Sequence, residues 1–366
     1  MSILIFIVVL VVLIVAHEFG HFIIAKKSGI RVDEFGVGFP PKLWGKKVGE
    51  TEYTLNAIPF GGFVKIFGEN PGEAGVDVDP RSFSNKPRGI QAAVVAGGII
   101  FNILFAWLLI SLGFMVGMPM SQDSAPFGAT VRNSAVMITD VRIETPAAIA
   151  GLEPGDEITG IRAGETALAP TRAEEIGPFI APRAGEELVI VYERNGVPGE
   201  AVVVPTEGIV PERAAIGIAM DDIGTVRLWP HQALWQGGTM TAELTVATTN
   251  GIATFFKDLF LRDEQALTQV MGPVGLVGVV GDAASVGFAY VLLLAALISI
   301  NLAVINLIPF PALDGGRLLF IAIEAVRGKA INPKVTNTVN AVGFVLLIFL
   351  MVLVTYHDIA KLVVGQ

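Results

Sequence analysis

The most informative residues of this sequence are two histidines and a glutamate near its beginning. His17, Glu18 and His21 form an H-E-x-x-H pattern inside an almost entirely apolar run. On a helix, positions i and i+4 share a face, so both imidazoles can bind one metal ion while the glutamate accepts a proton from water. Ionisable side chains at membrane depth are costly and usually functional. The pattern therefore predicts a metal site with a general base. Its alternative is a pair of histidines packed inside a helix bundle.

The composition is that of a membrane protein with a soluble part. Of 366 residues, 52% are hydrophobic and 16% are charged, against roughly a quarter charged in soluble proteins, and the mean hydropathy is +0.64. The formal net charge of −9 argues against nucleic-acid binding, which requires a basic face. Because the chain has no cysteine, His, Asp and Glu remain as metal ligands.

Four apolar segments are long enough to cross a hydrocarbon core of about 30 Å. They are predicted at 1–25, 89–118, 285–328 and 335–362. The first is not expected to be a cleaved signal peptide, since no basic residue precedes it and it carries the histidines. Lysines and arginines flank the first and third connections, which predicts that both termini and the long region after the second span lie outside the cytoplasm. His17 then lies toward the cytoplasmic side of the membrane.

The remaining segments are more polar, and their patterns predict mostly strands. Region 26–88 is rich in Gly and Pro and predicts short membrane-associated β-hairpins, followed by a mobile polar loop over 69–85. After the second span the chain has strand and turn patterns with one short helix at 171–180, and region 208–284 predicts an amphipathic connection that lies partly on the membrane surface. The predicted fold class is therefore a polytopic α-helical membrane protein with about four transmembrane helices, a membrane-associated β-hairpin region and an extracytoplasmic α/β domain.

The third metal ligand must come from elsewhere in the chain, because a catalytic zinc usually has three protein ligands and one open position. His231 and His357 lie outside the apolar segments or at a helix end. Asp314 is the best candidate, since it follows an apolar helix broken by prolines; its alternative is an N-cap for the next helix. Glu18 is then the general base for water that attacks a peptide carbonyl.

Other polar residues in apolar helices allow two interpretations each. Asn102 and Asn306 either donate hydrogen bonds to a substrate backbone or join two helices. Glu324 is expected to be a solvated residue near the cytoplasmic end of its helix. With Pro309 and Pro311, the two asparagines form the predicted substrate-binding set.

Taken together, these motifs resemble the site-2 protease family of intramembrane zinc metalloproteases and its bacterial RseP-like branch. The segment from His17 to His21 is similar to the family zinc motif. Residues 306–315, Asn-Leu-Ile-Pro-Phe-Pro-Ala-Leu-Asp-Gly, are similar to its second motif, whose aspartate is the third ligand. Gly98 to Asn102 resembles the G-x-x-x-N element of the second span. The resemblance implies Zn²⁺ as cofactor and a β region that holds extended substrate.

The turn Gly151-Leu-Glu-Pro-Gly-Asp156 is similar to one that precedes a strand in PDZ domains of these proteases. The resemblance implies a PDZ-like domain at 128–207, single where the branch often has two, with a peptide as its ligand. It also implies a bacterial inner-membrane protein, in contact with lipid, that cuts single-pass transmembrane proteins such as anti-sigma factors or remnant signal peptides. This activity is termed regulated intramembrane proteolysis.

Two functions of other classes compete with this hypothesis. A membrane metal transporter or metal-binding protein would use the same ligands but has no use for a PDZ-like domain. A non-catalytic scaffold that presents this domain needs no metal. Glu18, intact beside two ligands, weighs against both.

Overall fold

The computed structural model describes residues 2–69, 79–122, 124–126, 129–211, 213–261 and 272–364. Within them the helices are α1 Ser2–Lys27, α2 Arg88–Val116, α3 Pro146–Ile149, α4 Ile176–Ile180, α5 Pro230–Phe260, α6 Pro273–Val286, α7 Phe288–Leu307, α8 Asp314–Arg327 and α9 Pro333–Val364. The strands are β1 Val32–Val48, β2 Thr51–Ile66, β3 Met118–Ser121, β4 Val131–Val141, β5 Glu157–Ala163, β6 Thr166–Leu168, β7 Leu188–Arg194, β8 Val197–Val203, β9 Thr206–Val210, β10 Arg213–Ala215 and β11 Ile218–Val226.

Four helices are long and apolar enough to cross a membrane, which agrees with the predicted number. They are α1, α2, α7 and the part of α9 from Pro333 to Ala360. The segment 285–328 is broken at its prolines, as the sequence indicates: α7 ends at Leu307 and α8 begins at Asp314. Pro309 and Pro311 explain the break, because proline lacks the N–H that a continuing helix requires. The chain is a multi-pass membrane protein.

Residues 1–112 and 233–366 form one compact unit. Glycine faces glycine where α1 meets α2: a methyl group at Gly97 would lie 2.7 Å from the backbone oxygen of Gly20, closer than atoms pack. The missing side chains at Gly20 and Gly97 allow the two helices to approach closely. This crossing brings the backbone of α2 against the histidine face of α1.

β1 and β2 form one β region, here called the ribbon, that contains several short paired segments: residues 34–37 pair with both 52–55 and 62–65, and residues 44–48 pair with 51–55. This pairing agrees with the prediction of short strands folded back as hairpins, since residues 44–48 turn back onto 51–55. The ribbon packs on α1 through aromatic rings: Phe22 lies 5.3 Å from Phe35 and 6.0 Å from Tyr53, between centroids. Of the loop expected over 69–85, residues 70–78 lie outside the described residues, and Phe83 is buried in the core beside Phe22.

Residues 113–232 form the second compact unit. Its main sheet has the strand order β3-β11-β4-β5-β7-β8, with β6 paired to β5. Its apolar core includes Ile138, Ile161, Ile176, Leu188 and Ile190. The boundaries expected for a PDZ-like domain, 128–207, stay a prediction, while the sheet of this unit extends beyond residue 207. β11, placed in the expected connection 208–284, pairs with both β3 and β4 and therefore belongs to the sheet.

The turn before β5 is held by an ion pair whose carboxylate is buried and whose guanidinium is 31% exposed. The carboxylate of Asp156 accepts two hydrogen bonds from Arg194, of 2.6 and 2.8 Å, and a third of 2.9 Å from the amide of Glu153. Arg194 also donates to the carbonyl oxygen of Gly151 at 2.7 Å. The Asp156 side chain is 1% exposed, so this turn depends on its arginine partner.

Candidate metal centre

Three side chains from two distant parts of the sequence meet beside α2. Nε2 of His17 lies 3.2 Å from Nε2 of His21, and Oδ2 of Asp314 lies 3.2 Å from the first and 3.3 Å from the second. The three side chains are only 14%, 11% and 12% exposed. The helical spacing of α1 brings the histidines together, and the break between α7 and α8 brings the aspartate to them.

The hydrogen bond of His21 indicates which of its ring nitrogens is available to a metal ion. Its Nδ1 lies 2.9 Å from the carbonyl oxygen of Val94. Because a carbonyl only accepts, Nδ1 carries the proton, and Nε2 of the neutral ring presents a lone pair. Atoms bound about 2.0–2.1 Å from a tetrahedral zinc lie about 3.3 Å apart, which matches the three distances. The triangle therefore fits a zinc ion.

Asp314 does not cap its helix. Leu313 is the N-cap residue of α8, and no side chain makes a capping hydrogen bond there. The carboxylate of Asp314 points instead to the two histidines. Of the two roles considered for Asp314, the geometry favours the metal ligand. Among the described residues no other group of three His, Asp or Glu side chains offers ligand atoms this close, and neither His231 nor His357 joins this group.

Glu18 lies between the histidines in sequence and faces the ribbon. A methyl group placed on Gly62 of β2 would lie 3.4 Å from Cγ of Glu18. The strand therefore passes beside the candidate general base, and glycine keeps bulk away from it. Zinc, when bound, acts as a Lewis acid and makes water more acidic. Glu18 is the carboxylate adjacent to the ligands that can accept a proton.

The predicted substrate-binding residues have different surroundings. Asn102 is fully buried, and its Nδ2 lies 3.2 Å from Nδ1 of His17. Asn306 is half-buried in the last turn of α7, and Pro309 is exposed. Pro311 packs on α9, where a methyl group at Gly343 would lie 2.7 Å from its carbonyl oxygen. Asn102 therefore lies at the metal centre, and its side chain contacts a histidine there rather than an open surface that a substrate could reach.

The expectation that Glu324 is solvated was wrong. Its carboxylate is 2.9 Å from Arg88, only 15% exposed, and accepts a hydrogen bond from the amide of Ile331. Arg88 begins α2, far away in sequence, and so the partner that draws Glu324 inward is visible only in the folded chain.

On α2, the sequence interpretation missed the carbonyl oxygen of Val94 and did not connect Gly98 with the histidine rings. The carbonyl oxygen of Val94 holds His21, and Gly98 leaves room for both rings: a methyl group there would lie 2.6 Å from Cε1 of His17 and still closer to Nε2 of His21. A carbonyl leaves no signal in a sequence. The regular spacing of Val94, Gly98 and Asn102 at intervals of four was the available clue, since it places them on one helix face.

A family model covers nearly the whole chain: residues 5–350 match the model of peptidase family M50. The chain belongs to this family, that of the site-2 proteases. This M50 peptidase is 30% identical to zinc metalloprotease RasP of Oceanobacillus iheyensis, over 98% of each chain. It is also 30% identical to RasP of Geobacillus kaustophilus, with the same coverage, and 27% identical to protease RseP of Yersinia pestis, over 98% of each chain. The M50 peptidase is a zinc-dependent intramembrane metalloendopeptidase, as the resemblance implied.

Proposed function

We propose that His17, His21 and Asp314 bind the zinc of this protease, that Glu18 is its general base, and that its substrates are single-pass membrane proteins. The observation that carries the proposal is the buried triangle of two imidazole nitrogens and one carboxylate oxygen, 3.2–3.3 Å apart, with Glu18 next to it in an apolar helix. In this arrangement Glu18 takes a proton from the attacking water and later delivers it to the leaving amine.

The ribbon supplies a means to hold the substrate. A transmembrane helix hides its peptide bonds in internal hydrogen bonds, so a substrate must unwind before water can attack. An unwound segment can add to the edge of a strand through its main chain. β2 passes Glu18 at Gly62, and a segment added there lies next to the general base. Asn306, Pro309 and Pro311, near the ligand Asp314, are proposed to contact it.

The membrane location and orientation are inferred from the basic residues beside the spans and from similarity to the RasP and RseP proteases. Lysines and arginines flanking the spans favour a zinc site near the cytoplasmic face, with both termini and the second compact unit on the extracytoplasmic side. The chain's similarity to RasP and RseP proteases favours a bacterial inner membrane. We propose regulated intramembrane proteolysis of anti-sigma factors or remnant signal peptides, with the PDZ-like second unit taking a peptide ligand.

The decisive experiment replaces Glu18 with Gln. Purified protein is incubated with a tagged single-pass substrate, and cleavage and zinc content are measured together. Removal of a general base slows a reaction by about 10²–10⁴-fold, so cleavage should fall by at least this lower figure while zinc remains bound. Glu243→Gln, an exposed glutamate of α5, is the matched control and should cleave normally. Full activity of Glu18→Gln would refute the proposed mechanism.

A further inference from the structure

We propose that Asn102 is a positioning residue for the zinc site: its side-chain oxygen accepts the Nδ1 proton of His17 and thereby directs Nε2 of that ring to the metal. This inference rests on the proposed ligand set. It assigns Asn102 to neither of the two roles considered from the sequence, since the partner of its side chain is a metal ligand rather than a substrate or a structural group.

Each histidine of α1 has one partner on α2. On α1, His21 and His17 are four residues apart; on α2, Val94 and Asn102 are eight apart, with Gly98 midway between them. The carbonyl oxygen of Val94 receives Nδ1–H of His21, at 2.9 Å. The side-chain amide of Asn102 contacts the corresponding atom of His17, at 3.2 Å. One helix therefore holds both rings by their outer nitrogens.

His17 is the side-chain partner that the structure gives to the buried amide of Asn102. The side chain of Asn102 is fully buried, and its Oδ1 has no hydrogen-bond partner among the described residues. Its backbone is fixed from a third helix, because Oγ of Ser299 donates to its carbonyl oxygen at 2.8 Å. A side-chain amide carries a donor and an acceptor in nearly the same shape. Rotation by 180° exchanges Nδ2 for Oδ1 at His17 without other change.

The requirement of the metal decides which atom faces His17. For Nε2 to bind zinc, the neutral ring must carry its proton on Nδ1, and that proton needs an acceptor. Oδ1 of Asn102 is the side-chain acceptor within reach. With Nδ2 in this place, the proton would be held on Nε2, where it blocks the metal. Outer partners of this kind typically change metal affinity by about 10–100-fold.

The test measures zinc affinity rather than activity. The dissociation constant is determined by chelator competition on the full-length protein in detergent. Asn102→Leu, similar in volume but without an acceptor, should weaken binding about 10–100-fold; Asn102→Ala should do the same. Asn102→Asp keeps an acceptor oxygen and should retain affinity close to that of the original chain. Asn301→Leu removes an exposed amide of α7 that bonds the carbonyl oxygen of Leu297, and serves as the control.

Two outcomes would overturn the inference: unchanged affinity in Asn102→Leu and Asn102→Ala, or an equal loss in Asn102→Asp. An equal loss in Asn102→Asp would indicate that Asn102 acts through packing, because that variant keeps an acceptor oxygen and would still bind zinc weakly. His17→Ala, measured in parallel, separates this inference from the proposed function. If His17→Ala keeps its zinc, the ligand set itself is wrong; if it loses zinc while Asn102→Leu does not, only the role of Asn102 is wrong.

Discussion

The metal centre and the turn before β5 both bury an aspartate, but they neutralise it differently. Asp156 meets the guanidinium of Arg194 in a two-pronged ion pair and is complete within the chain. Asp314 instead meets Nε2 of two histidines, and His21 has its proton on the opposite nitrogen. One site contains its own cation, whereas the other gathers two imidazole nitrogens and a carboxylate oxygen, all of which can act as metal ligands.

This difference separates a structural site from a functional one. A buried carboxylate costs several kcal/mol unless it is paired. In the turn, the pairing stabilises the fold directly. At the proposed metal centre, the fold holds three potential ligands together at a cost, which zinc would offset on binding. A buried cluster of potential ligand atoms in which an imidazole donates its proton to a group outside the cluster is therefore a better sign of a metal site than burial or charge alone.

The largest effect is expected from His21→Ala, which removes a ligand. Zinc affinity should fall more than about 100-fold, beyond the range typical of outer partners, since two ligands cannot hold a catalytic zinc. Metal content and chelator competition measure this loss. The β sheet of the second unit should be unaffected, as judged by hydrogen exchange of its strands. A variant with normal zinc content would contradict the ligand assignment.

Arg194→Met should break the second site without touching the first. Removing one partner of a fully buried pair costs about 3–5 kcal/mol; the cost here should be smaller, because Arg194 is 31% exposed and Asp156 keeps its hydrogen bond from the amide of Glu153. Amides around Glu153 and Asp156 should exchange faster, while zinc affinity stays the same. Arg162→Met is the matched control, since its ion pair with Glu200 is about half exposed on both sides. Equal protection in Arg194→Met and the original chain would show that the turn does not need its cation.

Gly98→Ala tests how closely the rings are enclosed. The added methyl group would overlap both imidazoles, so the histidines must move, and zinc affinity should fall by about 10–100-fold, as for a lost outer partner. Gly278→Ala adds the same group to α6 where nothing lies within 4 Å, and should bind zinc normally. Unchanged affinity in Gly98→Ala would mean that the centre tolerates displacement.

The smallest effect is expected from an exposed pair. Lys26 donates to Glu50 at 2.9 Å, and this hydrogen bond holds the pKa of Glu50 below its usual value of 4.5. The stabilisation is present at neutral pH and is lost as the pH falls through the lowered pKa. Lys26→Gln should therefore cost less than about 1 kcal/mol at pH 7 and nothing in strong acid. Thermal unfolding across pH 3–7, with Lys27→Gln as control, measures it; a cost that grows in acid would contradict this assignment.

Regular local patterns were predictable from the sequence. The apolar runs gave the four candidate spans, because a span needs only length and hydrophobicity. The helical spacing of His17 and His21 brought their rings to one face, and the prolines after Asn306 marked the break before Asp314. Each of these features depends on neighbours in the sequence.

The tertiary structure decided everything that depends on distant partners. It paired residues 34–37 with both 52–55 and 62–65, and it added β11 to the sheet of the second unit. It drew Glu324 to Arg88, and set Val94 and Asn102 against the outer nitrogens of the histidines. Identical residue types serve as caps, ion pairs or ligands according to what faces them. The sequence by itself determined which groups can bind a metal, and packing between helices determined their protons and partners.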